Sequence, residues 1–351
     1  MSRAILVQAD LLASRLSRAF AEAGASAPAG AAATRALMHA SRLGVDSHGA
    51  RLVMVYDQKL RNGRANRNPV VTARRTAAAA AIVDGDNGLG ALAAYRAMEL
   101  AIEIARESGI GAVGVVRSHH YGAAGAYATV AAEAGLIGFA TTNADSIVAP
   151  FEGAQAFHGT NPLAFAAPVE GQKPWLLDMA TSSIPFNRVL LYRSLATILP
   201  EGVAADRQGQ MTRDAEVAEM LMPLGGAGYG FKGAALAGVA TLLSAILMGT
   251  TLDHAMIPMV GTPDLQTPRN MGHFVIAIDP AFFAGKAMFD KGMRSYLDAL
   301  RAVRHTDGGH PVMAPGDREW AVEAERLRDG IPIDPDTAAF LKIGADGTPT
   351  D

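Results

Sequence analysis

Apolar residues recur at helical spacing through residues 2–45. Leu6, Leu11, Leu12, Leu16 and Phe20 mark one face of a first helix over 2–25, and a second runs from about Ala31 to Leu43. Asp10, Arg15 and Arg18 interrupt the first, so it reads as an amphipathic surface helix and not as the apolar core of a signal peptide. The polar turn Gly44-Val-Asp-Ser-His-Gly49 breaks the pattern before a third helix from Arg51 to about Asn62. Residues 70–84 read as paired strands closed by a glycine-rich turn over Gly85–Gly90, and a helix follows from Ala91 to Glu107.

The clearest unit comes next. Gly111–Val116 is a short β run, Arg117–Gly122 a polar turn, Ala123–Ala134 a helix and Leu136–Thr142 a second β run. Strand, turn, helix, strand is the pattern of a crossover unit, whose ligands gather at the carboxyl ends of the strands. Further β runs lie at Leu163–Pro168, Trp175–Met179 and Gly272–Asp279; 183–220 is mixed, and 224–233 is a glycine-dense loop. The tail from Asp317 to Lys342 reads as helical and charged. Gly233–Leu252 contains no charged residue and is long enough to span a bilayer. Its small residues, and Gly249-Thr-Thr ending the helix after Met248, favour a fully buried core helix instead.

Composition narrows the function classes. Of 351 residues half are hydrophobic and only 19% charged, which provides ample material for a large core. A net charge of −3 gives no global positive field for nucleic acid. The absence of cysteine excludes disulfides, Cys-ligated zinc, iron–sulfur clusters and thiol nucleophiles together. The histidines show no metal-binding spacing, so no metal site is expected. What remains is a large protein with a small-molecule task.

One motif misleads. Gly228-Tyr-Gly-Phe-Lys-Gly233 matches the dinucleotide fingerprint G-x-G-x-x-G, with Asp253 as the trailing acid. That fingerprint requires a buried strand directly before the first glycine, and Met222-Pro-Leu-Gly-Gly-Ala stands there instead. The Rossmann reading is rejected. The glycines are expected to form a loop where backbone amides and Lys232 meet an anionic group at the start of the next helix.

Two histidines occupy turns of the kind that face clefts. His48 sits in Asp46-Ser-His-Gly-Ala-Arg51, and His120 in Ser118-His-His-Tyr-Gly122 at a strand end. Taken singly, each is as well explained as a capping or turn residue. Polar clusters recur at other strand ends: Thr141-Thr-Asn143-Ala-Asp145, His158-Gly-Thr160-Asn161-Pro162 and Asp178-Met-Ala-Thr181-Ser182. Their recurrence suggests one shared cleft.

These segments, with Phe231-Lys-Gly233 and Pro315-Gly316, occur in the order of the type-2 malate/L-lactate dehydrogenases, and the chain resembles that family from about residue 5 to 343. The family includes ureidoglycolate and sulfolactate dehydrogenases, diketogulonate reductase and Δ1-piperideine-2-carboxylate reductase. The resemblance implies an NAD- or NADP-dependent oxidoreductase with a mixed-sheet, non-Rossmann α/β fold. It implies a central cofactor lobe over 71–269 and a helical substrate and dimerisation lobe from 1–70 and 270–351. It further implies a cytoplasmic homodimer whose active sites are lined by both subunits, with no nucleic-acid or membrane partner.

Carried over by position, His48 resembles the proton donor and Ser47 its hydrogen-bonding partner, while in ureidoglycolate-type members the residue matching His120 has that role. Arg51 resembles the substrate-carboxylate clamp and Thr160 a second substrate contact. His120, Tyr121, Gly122, Ala123, Ala124, Asn143, Asp178, Met179, Ala180, Phe231, Lys232, Pro315, Gly316 and Asp317 match cofactor positions. The chemistry suits these residue types. Hydride addition at C2 of a 2-oxo acid builds charge on oxygen that an imidazolium can protonate, and an arginine fork fixes the carboxylate. Reduction of a cyclic imino acid has the same requirements and is the nearest alternative, followed by a cofactor-binding protein without turnover.

Two positions depart from the family pattern. Arg51 follows the turn histidine by three residues where many members have four, which keeps the same helix face. Asn187-Arg188 stands where relatives carry Gly-Lys or Gly-Asp, so Arg188 either faces elsewhere or binds an anionic group of substrate or cofactor.

Overall fold

The computed structural model describes residues 4–350. In chain order the elements are β1 (Ile5–Val7), α1 (Ala9–Glu22), α2 (Ala27–Arg42), α3 (Leu52–Arg61), β2 (Thr72–Ala77), β3 (Ala80–Asp84) and α4 (Gly90–Ser108). Then come β4 (Ile110–Ser118), α5 (Gly125–Glu133), β5 (Ile137–Thr142), β6 (Leu163–Ala167), β7 (Trp175–Met179) and α6 (Phe186–Ser194). The rest are β8 (Ala204–Ala205), β9 (Met220–Leu221), α7 (Gly226–Thr241), β10 (Met271–Ile278), α8 (Lys286–Arg301), α9 (Asp317–Asp329), β11 (Ile331–Ile333) and α10 (Pro335–Phe340).

Seven strands form one mixed sheet in the order β2-β3-β4-β10-β5-β6-β7. Only β3 and β4, joined through α4, pair in parallel; every other neighbouring pair in this sheet is antiparallel. The β4–α5–β5 unit therefore differs from the expected crossover. Its strands run the same way, but β10 is inserted between them and pairs antiparallel with both.

Strand periodicity assigns the two faces of this sheet. Val113, Val115, Val275 and Ala277 point into a core with α4 and α5, while Phe139, Leu163 and Phe274 pack beneath α7 with Ala240. The alanine and glycine surplus lets the helices lie close on the strands. A Cβ at Gly111 would overlap the carbonyl oxygen of Ala101 on α4, and one at Gly138 that of Ala128 on α5. A separate core joins the chain ends: Leu12, Leu16 and Phe20 of α1 meet Leu37, Tyr56 and Leu60, with Ile331 and Leu341 closing it. The β1–β11 pair ties the two ends covalently remote from each other into this layer. Since β10 lies mid-sheet, the central sheet takes a strand from the 270–351 segment.

Four expectations change. The glycine-dense stretch is helical from Gly226, so the fingerprint-like glycines and Lys232 lie on α7 and not in a loop. The long apolar helix is not fully buried, since Val239, Leu242, Ile246 and Leu247 are 46–63% exposed along one side. The charged tail is α9, β11 and α10 and not one helix, because Gly330 at φ +106 ends α9. The first helix starts at Ala9, after β1; Ser2 and Arg3 of the expected helix lie outside the described residues.

Candidate active site

The turn after α2 is built to present two side chains. Gly44 at φ +82 ends the helix, and Asp46–His48 forms a single tight turn before α3. Gly49 leaves no room for a Cβ against Ser41, whose hydroxyl accepts the Ala50 N–H at 2.8 Å. Arg326 of α9 donates to the Ser41 carbonyl at 2.6 Å and to the Asp46 carboxylate at 2.9 Å, locking the turn from outside. Ser47 Oγ and His48 Nδ1 share a hydrogen bond of 2.9 Å.

His120 arrives from the end of β4. Its ring stacks on that of His48 at 5.7 Å between centroids, and its Nδ1 lies 2.7 Å from the hydroxyl of Tyr56 on α3. Beneath it, buried His273 on β10 bridges Thr142 Oγ1 at 2.7 Å and Ser118 Oγ at 2.8 Å, tying the ends of three adjacent strands together. The two histidines therefore come from segments far apart in the chain, joined by strand order.

Both face a cavity of about 360 Å³ that is also lined by Ser47, Gly122, Ala123, Ala124, Thr160, Asp178, Met179 and Ala180. Asp145 and Met259 join the lining. Asp145 is ion-paired with buried Arg269 and accepts the Met259 N–H at 3.1 Å, so its charge is compensated. Two further hollows share lining residues with this cavity. One, of about 660 Å³, shares Val45, Ser47, Pro185 and Asn187 and brings in Arg51, Arg188 and Arg318. The other, of about 350 Å³, shares Val45 and Asp178 and brings in Pro315, Gly316 and Glu319. The site is thus a central chamber with two adjoining annexes that all share Val45, one where Arg51, Arg188 and Arg318 outnumber Asp46 and Asp334 and one whose acids are Asp178 and Glu319.

Burial sets the electrostatics of the centre. It lowers the pKa of His48, and burial together with the neighbouring His48, Arg269 and His273 holds His120 well below the usual imidazole value. Burial also pushes the Asp178 carboxyl up to about 6, although that group accepts the Gly125 N–H at 2.8 Å. Both lowered values favour the neutral imidazole at pH 7.

The remaining sequence candidates divide. Tyr121 is buried between His273 and Tyr127, stacked at 4.4 and 4.6 Å, and does not line the chamber. Asn143 is fully buried and donates to Thr251 at 2.8 Å and Asp253 at 3.0 Å. Asp253, once the false fingerprint acid, is a buried hub. Burial raises its pKa, but donors from His158, Asn161, Asn143 and Gly159 outweigh that and hold it below the usual value. Asp317 spends its carboxylate on Arg301 at 2.6 Å. Phe231 and Lys232 stand exposed on α7, lining none of the three hollows, with the Lys232 ammonium 5.1 Å from the Tyr229 ring centre. Tyr56 is the residue that sequence pattern missed, since on an amphipathic helix it is indistinguishable from core.

A family model described as malate/L-lactate dehydrogenase matches residues 7–342. The chain belongs to the malate/L-lactate dehydrogenase family. It is an oxidoreductase of that family. A malate dehydrogenase of Pyrococcus abyssi is 37% identical over 303 residues, covering 85% of this chain and 82% of the relative. A ureidoglycolate dehydrogenase (NAD(+)) of Escherichia coli O157:H7 is 33% identical over 320 residues, covering 91% and 90%. The solved malate dehydrogenase of Pyrococcus horikoshii OT3 superposes with a TM-score of 0.86 at 32% identity, covering 97% of each chain. The family match and this superposition both extend over nearly the whole chain.

Proposed function

We propose that this protein moves a hydride between nicotinamide C4 of NAD or NADP and C2 of a small 2-hydroxy or 2-oxo acid. The observation that carries the reading is the central chamber, where His48 with Ser47, His120 with Tyr56, and Thr160 meet the Asp178–Ala180 segment. A nicotinamide cofactor fits the residues present. Gly122, at φ +84, has no atom within 3.8 Å of where a Cβ would stand, so bare backbone faces the chamber. Asp178 links that space to the annex at Pro315-Gly316, giving an extended molecule a continuous path. When bound, the cofactor donates or accepts the hydride.

The chain's own residues supply the rest. His48 Nε2 moves the proton at the substrate oxygen while Ser47 fixes the ring through Nδ1, and His120 is the alternative for this step. Arg51 grips the substrate carboxylate. Arg188 receives an anionic group of substrate or cofactor, which is supported by its place beside Arg51 and Asn187 in the basic annex, with no ion-pair partner among the described residues. The cofactor site is not of Rossmann type, a reading supported by the fingerprint-like glycines lying inside α7.

Assembly as a homodimer completes the site. The exposed apolar residues Tyr229 and Phe231 of α7, with Leu242 and Ile246 of the π-helical turn that continues it over Leu242–Ile246, favour burial against a second copy. Phe231 and Lys232, which line none of these three hollows, gain a cofactor to meet at such an interface. The same packing accounts for the α7 apolar stretch without a membrane, and a cytoplasmic setting goes with this reading. The two lobes are then 1–70 with the chain's closing elements, and the sheet with α4, α5 and α7.

The test is an NADH- and NADPH-oxidation screen over pyruvate, oxaloacetate, longer 2-oxo acids and cyclic imines. Turnover with any 2-oxo acid supports the reading. Turnover confined to cyclic imines moves the enzyme to the imine-reductase alternative.

A further inference from the structure

The annex beyond Asp178 has a charge character that bears on which nicotinamide cofactor fits. Its walls include Leu43, Leu176 and Met313, apolar surfaces suited to a flat base, within a volume of about 350 Å³. Two carboxylates, Asp178 and Glu319, are its only ionised lining groups. No lysine or arginine lines it, and its one histidine, His39, is held neutral because burial lowers its pKa to about 3. Other acids nearby are neutralised: Asp317 by Arg301 at 2.6 Å and Glu323 by Lys173 at 2.6 Å. Glu319 pairs with Arg318 at 3.5 Å, but that guanidinium is 72% exposed and does not line this annex, so solvent screens the pairing. The charge on the annex is therefore negative.

We propose that Glu319, with Asp178, makes this enzyme selective for NAD over NADP. The inference rests on the reading above, in which the cofactor runs from the histidine chamber past Asp178. The histidines fix the nicotinamide end in the central chamber, and the basic annex suits the anionic substrate, so the far, adenosine end takes the acidic annex. A carboxylate there accepts hydrogen bonds from a ribose diol, whereas a 2′-phosphate in the same place meets like charge with no lysine or arginine in the annex lining.

The experiment titrates the purified full-length protein with NADH and with NADPH, following nicotinamide fluorescence without substrate. Adenosine 5′-monophosphate and adenosine 2′,5′-bisphosphate are then used to displace bound NADH. NADH is expected to bind at least about tenfold tighter than NADPH, and the monophosphate to displace it better than the bisphosphate. Glu319→Gln is expected to tighten NADPH by about three- to tenfold while changing NADH less than about threefold. Equal or tighter NADPH binding by the unaltered protein overturns the selectivity. An unchanged ratio in Glu319→Gln overturns the role of that residue. If neither dinucleotide binds, the cofactor reading itself fails, a result distinct from either of the others.

Discussion

The hydroxyl of Tyr56 stands 2.7 Å from Nδ1 of His120, joining a helix of the terminal layer to the end of a central strand. Tyr56 is 2% exposed, and burial raises its pKa, so the phenol keeps its proton and can donate to the ring. That bond orients the imidazole and directs its Nε2 into the chamber. Tyr56→Phe removes it without opening a cavity and leaves a buried nitrogen unpaired, a loss of about 1–3 kcal/mol. If His120 works in the chemical step, kcat is expected to fall roughly tenfold or more with KM and cofactor affinity little changed. Steady-state kinetics beside a fluorescence titration checks this, and a loss of cofactor affinity instead would reduce Tyr56 to a packing role.

His48 and His120 cannot both carry charge at a ring separation of 5.7 Å without mutual cost, so one of them serves as the acid–base group at a time. His48→Ala is expected to abolish turnover, by about 10²-fold or more, with cofactor affinity nearly intact. Near-normal turnover in that variant transfers the role to His120, and His120→Ala then shows the loss.

Much of this arrangement could be read from sequence because local pattern determines it. The β runs at 111–116, 136–142, 163–168 and 175–179 correspond to strands, and the turns at His48 and His120 open on one cavity. Sheet order could not be read the same way, since β10 enters between β4 and β5 from a segment remote in sequence. Composition obscured the start of one helix. Glycine's low helix propensity hid the start of α7, where a side chain at Gly233 would strike the backbone of Leu224. Helix α8 does carry an apolar stripe at helical spacing, Phe289, Met293, Leu297 and Leu300, and it packs Leu297 with Met293 and Leu300 against Val169, Ala314 and Trp175 in a small core of its own. Asn143 illustrates the limit of motif transfer: its position was legible, while its engagement with Asp253 follows from tertiary packing alone.

The lowered pKa values give a pH signature with a definite sign. Oxidation of a hydroxy acid needs a neutral imidazole, which persists below the ordinary value of about 6.5 because burial lowers the pKa of both histidines. Oxidative kcat/KM should stay flat from pH 8 to below about 6.5 and fall only in more acidic solution. Reduction needs the protonated ring and should still be rising as pH drops through the same range. A break near 6.5 in both directions would falsify the neutral-imidazole assignment.

Arg188 and Arg51 line one annex without a carboxylate partner within ion-pair distance among the described residues. Arg188 lies on the exposed α6, so its removal carries little folding cost. Arg188→Ala is expected to raise the KM of one anionic ligand by about tenfold while kcat changes less. Unchanged KM for both substrate and cofactor would remove the anion-binding role. Arg188→Lys should recover only part of the loss, because a point charge lacks the planar fork.

The apolar surface of α7 and of the π-helical turn Leu242–Ile246 that continues it provides the test of assembly. Leu242 and Ile246 are 52% and 63% exposed, and burying such side chains against a second copy stabilises the pair by roughly 2 kcal/mol each. Leu242→Arg places a charge on that surface without touching the chamber, since Leu242 lines none of the three hollows. Sedimentation velocity should show a dimer for the unaltered protein and a monomer for the variant, with circular dichroism unchanged. Activity should fall with the dimer and recover at high protein concentration, because Phe231 and Lys232 on the same helix depend on the interface for a ligand to contact. An unaltered protein that sediments as an active monomer would remove both the dimer and the part assigned to Lys232.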